Sequence, residues 1–148
     1  MITDVELQLH AYDCVGTPFL WGGRDIRDGM DCVGILLYVL NKVGIRLDYA
    51  TTNRAYCTNL LEDKFDKHLN PVDVTPRPGD IGLFWVKARS NVQHCGLYTE
   101  RGLVHGYIAA RQIVLEPVPI RWQESLHRVY AVPSVVRTLR SEVYTVSR

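Results

Sequence analysis

The chain has 148 residues, 47% of them hydrophobic and 22% charged, and these values are typical of one globular domain spanning residues 1–148. The formal net charge of +1 excludes a strong uniform field, so no nucleic-acid partner is expected. No apolar stretch approaches the length of a membrane-spanning helix, about 18 residues, and no basic run followed by an apolar stretch marks a secretory signal. We therefore expect synthesis in the cytoplasm and no membrane span.

The first predicted element is an amphipathic helix over residues 3–15. Thr3 and Glu6 have the spacing of a capping box at its start. Its predicted buried face consists of the apolar residues that recur at helical spacing, namely Val5, Leu9, Tyr12 and Val15.

A glycine-rich aromatic stretch, FLWGG at residues 19–23, forms the next segment (the glycine loop). Trp21 is the residue of this loop that we expect to line a substrate groove, and Gly22 would let a substrate backbone approach closely. Asp31 has the position of an N-cap for a second helix, Cys32–Val43. That helix, CVGILLYVLNKV, is apolar on nearly every face, which indicates a helix in the centre of the domain.

Strand patterns dominate the chain after Pro76, following one short predicted helix at Asn59–His68. The turn PGD at 78–80 precedes the strand IGLFWV, and two segments around a Glu-Arg-Gly turn, HCGLYT and LVHGYI, predict a hairpin. Two further strand candidates have the sequences RQIVLEPV and HRVYAVP. Helices followed by strands indicate an α+β fold, in which the central helix packs on an antiparallel sheet of about five strands.

Cys32 is the cysteine whose position indicates chemistry. At the first turn of a helix, the macrodipole and the free backbone N–H groups stabilise a thiolate. The remaining cysteines, Cys14, Cys57 and Cys95, form no C-x-x-C pair with it, so neither a zinc module nor a disulfide is expected. A free cysteine on an apolar helix is also a common core residue, and position alone leaves these two interpretations about equally supported.

Two strand histidines, His94 and His105, are the candidate partners of this thiol. A thiol nucleophile needs a base within hydrogen-bond reach, and the base needs an orienting group. Side chains alternate along a strand, so His94 and Cys95 point to opposite faces and Cys95 is assigned to the core.

Two registers of the histidine hairpin remain open. A turn at 99–100 would place His94 directly opposite His105. A turn at 101–102 would instead pair Tyr98 with His105 and leave His94 about 13 Å away along the strand.

Five motifs carry a family resemblance, and they occur in the order GTPFLWGG, MDCVGILLYVL, RPGDIGLFW, HCGLY and LVHGY. Over residues 5 to about 132 the chain resembles the NlpC-type cell-wall peptidases, which belong to the papain-like superfamily. The resemblance implies Cys32 as nucleophile, His94 as general base and His105 as the residue that orients the base, with no metal and no cofactor. It also implies a peptidoglycan stem peptide as substrate, cut between D-glutamate and a diamino acid, with Asp31 gripping its amino end.

Two positions depart from the pattern of this family. Phe19 stands where members commonly carry Tyr, and Val33 stands where they commonly carry Ser, which is associated with the same grip as Asp31. These departures leave the nucleophile and base intact and bear on which peptide is recognised.

The small size and the missing secretion signal resemble the stand-alone family members of prophage and gene-transfer-agent tail gene clusters. This likeness implies phage-like tail-tip proteins as partners. It also implies a place of action in the periplasm or cell wall, as part of a virion or phage-like particle.

Three alternatives stay open on the sequence alone. Cys32, His94 and His105 are a Cys-His-His set that could hold zinc in a tetrahedral cluster. The chain could also be a non-catalytic structural or assembly component of a phage-like tail tip, although the three intact candidate residues argue against this. The same thioester chemistry could serve an acyltransferase.

Overall fold

Three helices and ten strands form in the residues that the computed structural model describes, which are 1–47, 60–73, 75–86, 91–117 and 123–137. The helices are α1 (Asp4–Cys14), α2 (Cys32–Lys42) and α3 (Leu60–His68). The strands are β1 (Ile2–Thr3), β2 (Arg24–Asp25), β3 (Gly29–Met30), β4 (Asn70–Val72), β5 (Ile81–Val86), β6 (Asn91–Thr99), β7 (Gly102–Gly106), β8 (Ile113–Glu116), β9 (Leu126–Ala131) and β10 (Val135–Val136). None of the described helices is long and apolar enough to cross a membrane.

Side-chain caps begin the first two helices, as the sequence predicts. Thr3 Oγ1 accepts from the Glu6 amide at 3.1 Å and Glu6 Oε1 accepts from the Thr3 amide at 3.2 Å, which completes the capping box of α1. Asp31 Oδ1 accepts from the Gly34 amide at 2.8 Å and caps α2. The second helix ends one residue earlier than predicted, with Val43 as its C-cap.

The buried face of α1 differs from the predicted one. The apolar side chains that pack into the core are Leu7, Ala11 and Cys14. The exposed members of the predicted face are Val5, Leu9 and Val15. Both sets have helical spacing, so periodicity alone does not separate them. A long-range contact selects the orientation, because the buried Gln8 accepts from the Glu100 amide at 2.9 Å and ties α1 to the turn between β6 and β7.

A six-stranded antiparallel sheet has the order β4-β9-β5-β6-β7-β8. The predicted strands account for five of its members. The sixth, β4, lies at the edge and contains Pro71, which has no backbone N–H to donate and is tolerated on an edge strand. Its sequence lacks the alternation by which the other strands were predicted. The short helix predicted at Asn59–His68 is confirmed as α3.

The helices and one face of the sheet enclose the core. Fully buried members on both sides of this contact include Ile35, Leu36, Leu83 and Leu97. The opposite face of β6 and β7 carries His94 and His105, because side chains alternate along each strand. The prediction that residues 1–148 form one domain includes residues outside the described ranges, so it stays a prediction.

Candidate active site

Cys32 is the first residue of α2 and is partly exposed. Cys14 and Cys95 are buried, and none of these three described cysteines forms a disulfide. Cys57 lies outside the described residues. Among the described cysteines, Cys32 is thus the one that combines access from solvent with a place at the positive end of a helix.

The glycine loop is held against the start of α2. A Cβ atom at Gly34 would lie 2.4 Å from the Gly23 carbonyl oxygen, so only glycine permits this approach. Asp31 completes the junction, because its Oδ2 accepts from the Gly22 amide at 2.9 Å and its Oδ1 accepts from Arg24 Nη1 at 2.8 Å. The loop is therefore positioned by the same residue that caps the helix.

The three predicted substrate-binding residues lie together in this junction. Trp21 is exposed, Gly22 has a positive φ of 78°, and Asp31 is buried. Burial raises the pKa of Asp31 and the charge of Cys32 adds to the rise, while Arg24 opposes it. Contact with substrate stays a prediction for all three residues.

The hairpin of β6 and β7 adopts neither of the two registers considered from the sequence. Thr99 pairs with Gly102 across a turn at 100–101, so each expected turn is wrong by one residue and each expected partner of His105 by two. Gly102 is the first residue of β7, and its positive φ of 136° and the approach of β8 both require glycine: a Cβ atom there would lie 2.2 Å from the Glu116 carbonyl oxygen. Continued by one position beyond the Leu97–Val104 pair, this register brings His105 next to Gly96.

His94 and His105 meet through their ring nitrogens on this hairpin. His94 Nε2 lies 2.8 Å from His105 Nδ1, and the ring centroids are 5.1 Å apart. Gly96 keeps the space between them open, since a Cβ atom there would lie 3.0 Å from His105 Cβ. Both histidines are buried, at 5% and 0% exposure, so the bond between them is shielded from water.

The thiols of Cys32 and Cys95 form a hydrogen-bonded pair with opposite properties. A hydrogen bond from the Cys95 thiol, followed by the hydrogen bond and the charge of His94, holds the pKa of Cys32 well below its usual value against the opposing effect of burial. Burial and the neighbouring Cys32 sulfur hold the pKa of Cys95 well above its usual value. Cys32 is therefore the more readily ionised thiol of the pair, and Cys95 is its hydrogen-bond donor. The sequence placed Cys95 in the core correctly but did not predict this contact.

Two residues that the sequence analysis did not single out also border the imidazoles. Glu116 Oε1 lies 3.0 Å from His105 Nε2. The Tyr107 ring centroid lies 5.3 Å from that of His105 and 6.5 Å from that of His94. Tyr107 is the last residue of the LVHGY motif, whereas Glu116 stands on another strand and becomes a neighbour only through the register of the sheet.

The geometry favours a hydrogen-bonded line of side chains over the zinc alternative. His94 Nε2 and His105 Nδ1 face each other, whereas the ligands of one zinc ion converge on a common point. Across the part of the chain that the structure describes, no group of three or more His, Cys, Asp or Glu side chains is arranged to hold a metal ion. An anionic sulfur with an imidazole beside it and a second imidazole behind suits nucleophilic catalysis.

Comparison with known sequences gives relatives over most of the chain. A profile of the NlpC/P60 family matches residues 16–130. Murein DD-endopeptidase MepH of Escherichia coli K12 is 30% identical over 93 residues, which are 60% of this chain and 30% of MepH. Gamma-DL-glutamyl hydrolase of Bacillus subtilis 168 is 25% identical over 100 residues, which are 67% of this chain and 22% of that protein. The chain spans less than a third of the length of these curated relatives.

Solved structures share the fold. The NlpC/p60 domain of peptidoglycan hydrolase SagA gives a TM-score of 0.65 at 22% identity and covers 88% of this chain and 100% of its own. The peptidoglycan hydrolase RipB of Mycobacterium tuberculosis gives a TM-score of 0.63 at 18% identity, over 87% of this chain and 64% of its own. At these identities the likeness concerns the fold, and it confirms the predicted α+β, papain-like class.

Proposed function

This chain belongs to the NlpC/P60 family, and we propose that it is a cysteine endopeptidase that hydrolyses an amide bond in peptidoglycan peptides. Cys32 is the nucleophile, His94 the general base and His105 the residue that orients the base. The observation that carries this proposal is the line of three side chains, which starts at a thiolate on the positive end of α2 and ends on a fully buried imidazole. A cysteine that only filled the core would have a raised pKa, as Cys95 has.

The proposed reaction proceeds in two steps through a thioester. The Cys32 thiolate attacks the carbonyl carbon of the scissile amide, and the Cys32 backbone N–H, at the helix start, donates to the developing oxyanion. His94 delivers a proton to the leaving amine, the C–N bond breaks, and an acyl group remains on Cys32. A water molecule that His94 deprotonates then attacks the thioester, which releases the new carboxylic acid product and the thiolate.

For the scissile bond we propose the amide between D-glutamate and the diamino acid of the stem peptide. The motif resemblance supports this choice, as does the name of one relative, gamma-DL-glutamyl hydrolase. The name of MepH, a DD-endopeptidase, supports the cross-link between two stem peptides as the second candidate. The two bonds differ in the fragments that their cleavage releases, so one digestion distinguishes them.

Digestion of purified peptidoglycan tests both the activity and the bond. The wild type and Cys32→Ala are incubated with the same sacculi, and the released fragments are identified by mass spectrometry. Fragments with a new amino-terminal diamino acid indicate cleavage after D-glutamate, whereas conversion of cross-linked dimers to monomers indicates cleavage at the cross-link.

Cys14→Ala is the matched control for this digestion. It removes a buried thiol of α1 whose sulfur donates to the His10 carbonyl oxygen at 3.5 Å. We expect release by the wild type and by Cys14→Ala and none by Cys32→Ala. Equal release by the wild type and Cys32→Ala would overturn the proposal.

The proposal extends to the place of action. We propose that the protein acts in the periplasm or cell wall as part of a virion or phage-like particle, with tail-tip proteins as partners. The support is the resemblance to stand-alone family members of tail gene clusters. Mass spectrometry and immunogold labelling of purified particles should find the chain at the tail tip, and its presence only in the particle-free fraction would contradict this.

A further inference from the structure

A carboxylate extends the line of imidazoles beyond His105. Glu116 Oε1 lies 3.0 Å from His105 Nε2, and the other nitrogen of that ring, Nδ1, lies 2.8 Å from His94 Nε2. The register explains this alignment. His105 stands across from Val114, and Glu116 is two residues further on the same face of the sheet. Three adjacent strands, β6, β7 and β8, therefore each contribute one member of the line.

We propose that Glu116 is a positioning residue for the thiol chemistry. Its carboxylate determines which nitrogen carries the proton on both imidazoles, and it thereby leaves His94 with an unprotonated nitrogen that can act as a base for Cys32. This inference deepens the proposed function and rests on it. Glu116 acts through His105 and His94, so it is not itself a catalytic residue.

The proton assignment follows from what each group can donate or accept. An ionised carboxylate only accepts hydrogen bonds, so His105 Nε2 carries the proton that is donated to Glu116. A neutral His105 then has an unprotonated Nδ1, and His94 Nε2 must donate to it. His94 Nδ1 is left without a proton, which is the state of a base that can take the proton of the Cys32 thiol.

The opposite assignment would disable the site. If His105 donated through Nδ1, His94 Nε2 would have to accept, and the proton of His94 would sit on Nδ1. An imidazole in that state cannot accept a proton from Cys32. In the serine–histidine–aspartate hydrolases, an error of this kind lowers kcat about 10⁴-fold when the buried aspartate becomes asparagine.

Burial makes the charge of Glu116 effective. The His105 side chain is 0% exposed and that of Glu116 is 17% exposed, and charges in such surroundings are poorly screened. The titratable side chains that contact the two rings include Cys32 from α2, Tyr107 after β7 and Glu116 from β8. When His94 takes the thiol proton, the negative charge of Glu116 stabilises the positive imidazole pair and, through it, the thiolate.

Glu116→Gln tests the inference, because it removes the charge and keeps the size of the side chain. The control is Glu62→Gln, which makes the same exchange at a second pair, where Glu62 Oε2 lies 2.8 Å from His127 Nε2 and the Glu62 side chain is 14% exposed. The first readout is the rate at which iodoacetamide modifies Cys32 as a function of pH, followed on the Cys32 peptide by mass spectrometry. The second is release from peptidoglycan, and thermal unfolding shows that each variant folds.

For Glu116→Gln we expect the pH midpoint of Cys32 modification to rise by about one unit, because a nearby charge that favours the ion pair is gone. Peptidoglycan release should fall about 100-fold, which is the lower range of what a positioned base contributes. The unfolding temperature should stay close to that of the wild type. Glu62→Gln should leave the midpoint and the release unchanged.

Two outcomes would overturn the inference. One is a midpoint and a release that both match the wild type. The other is a loss of release with an unchanged midpoint and a lowered unfolding temperature, which is what a purely structural role produces. Failure of the proposed function looks different: the wild type releases nothing from peptidoglycan, while the midpoint still rises in Glu116→Gln. Glu116 would then position the imidazoles for a thiol that acts on another substrate.

Discussion

Two histidine–glutamate pairs in this protein have nearly the same internal geometry and different surroundings. His105 Nε2 lies 3.0 Å from Glu116 Oε1, and His127 Nε2 lies 2.8 Å from Glu62 Oε2. The first imidazole is buried, and its second nitrogen bonds another imidazole that leads to a thiolate. The second imidazole belongs to β9 and its glutamate to α3, and β5 separates β9 from the strand that carries His94.

The surroundings of the second pair weaken its electrostatic effect. His127 is 21% exposed on its side chain, and its ring packs against Trp85 with 4.5 Å between centroids. Arg128 Nε lies 3.3 Å from the same Glu62 oxygen, so a guanidinium shares the carboxylate charge. The two carboxylates are about equally buried, so the difference lies in the exposure of His127 and in the guanidinium that shares the charge of Glu62. An imidazole–carboxylate pair thus becomes part of a reactive site when the imidazole is buried and when its second ring nitrogen bonds a catalytic group.

The largest difference is expected when the histidine of each pair is replaced. His105→Gln removes the group that orients His94, and we expect peptidoglycan release to fall about 1,000-fold. His127→Gln should leave release close to that of the wild type. Both variants are measured in the same digestion assay. A comparable loss in His127→Gln would show that the two pairs do not differ in function.

A smaller effect is expected when the imidazoles of His94 and His105 are pushed apart. In Gly96→Ala the new Cβ atom would lie 2.9 Å from the Val104 carbonyl oxygen and 3.0 Å from His105 Cβ. We expect overpacking to cost about 1–3 kcal/mol of unfolding free energy and a displaced His105 to lower release about 100-fold. Denaturant unfolding and digestion measure the two effects. If Gly96→Ala is destabilised but still releases peptidoglycan fragments at the wild-type rate, the activity does not depend on this register.

A third test concerns Cys95, which donates a hydrogen bond to Cys32 at the sulfur end of the line of catalytic side chains. Its hydrogen bond lowers the pKa of Cys32, so its loss in Cys95→Ala raises that pKa and leaves less thiolate at a given pH. A hydrogen bond to an ionised group contributes about 1.5–3 kcal/mol, so the pH midpoint of Cys32 modification should rise by about one unit or more. Release at neutral pH should fall about tenfold. Cys95→Ser keeps a hydrogen-bond donor, so its pH midpoint should stay nearer to that of the wild type. Equal midpoints in Cys95→Ala and the wild type would contradict the proposed effect of the Cys95 hydrogen bond.

The smallest effect on activity is expected beside the second pair. Tyr130→Phe removes a hydroxyl that donates to Asp66 Oδ1 at 2.6 Å. We expect a loss of about 1 kcal/mol in unfolding free energy and no change in release. Denaturant unfolding measures the first and digestion the second. A lower release at unchanged stability would mean that this polar cluster takes part in the chemistry after all.

Residue spacing was enough to predict the features that local interactions decide. The capping box at Thr3 and the Asp31 cap involve residues within one turn of helix, so the pattern contains both partners. Cys32 at the start of α2 follows from the same cap. Strands with alternating or continuous apolar runs were visible in the sequence, whereas β4, a short edge strand with Pro71, was not.

The features that were missed depend on contacts between distant segments. α1 carries two apolar stripes, and Gln8 bound to the hairpin turn selects the one that is buried. Gly102 was expected in the turn, but it begins β7, and its positive φ together with the approach of the β8 backbone explains why it is glycine. Glu116 has nothing unusual in its neighbours along the chain, and its place behind His105 results from strand pairing alone. The roles of such residues can be predicted only when the pairing of the strands is known.

The pairing of His105 with Gly96 limits how the hairpin can vary in length. One residue inserted or deleted between Gly96 and the turn, or between the turn and His105, would reverse the faces of one strand relative to the other. The imidazoles would then project from opposite sides of the sheet. An insertion or deletion of two residues would return His105 to the same face, but His105 would then no longer lie next to Gly96, which leaves room for its side chain. We therefore expect changes of length to be tolerated at the tip, residues 100–101, and not in either arm of the hairpin.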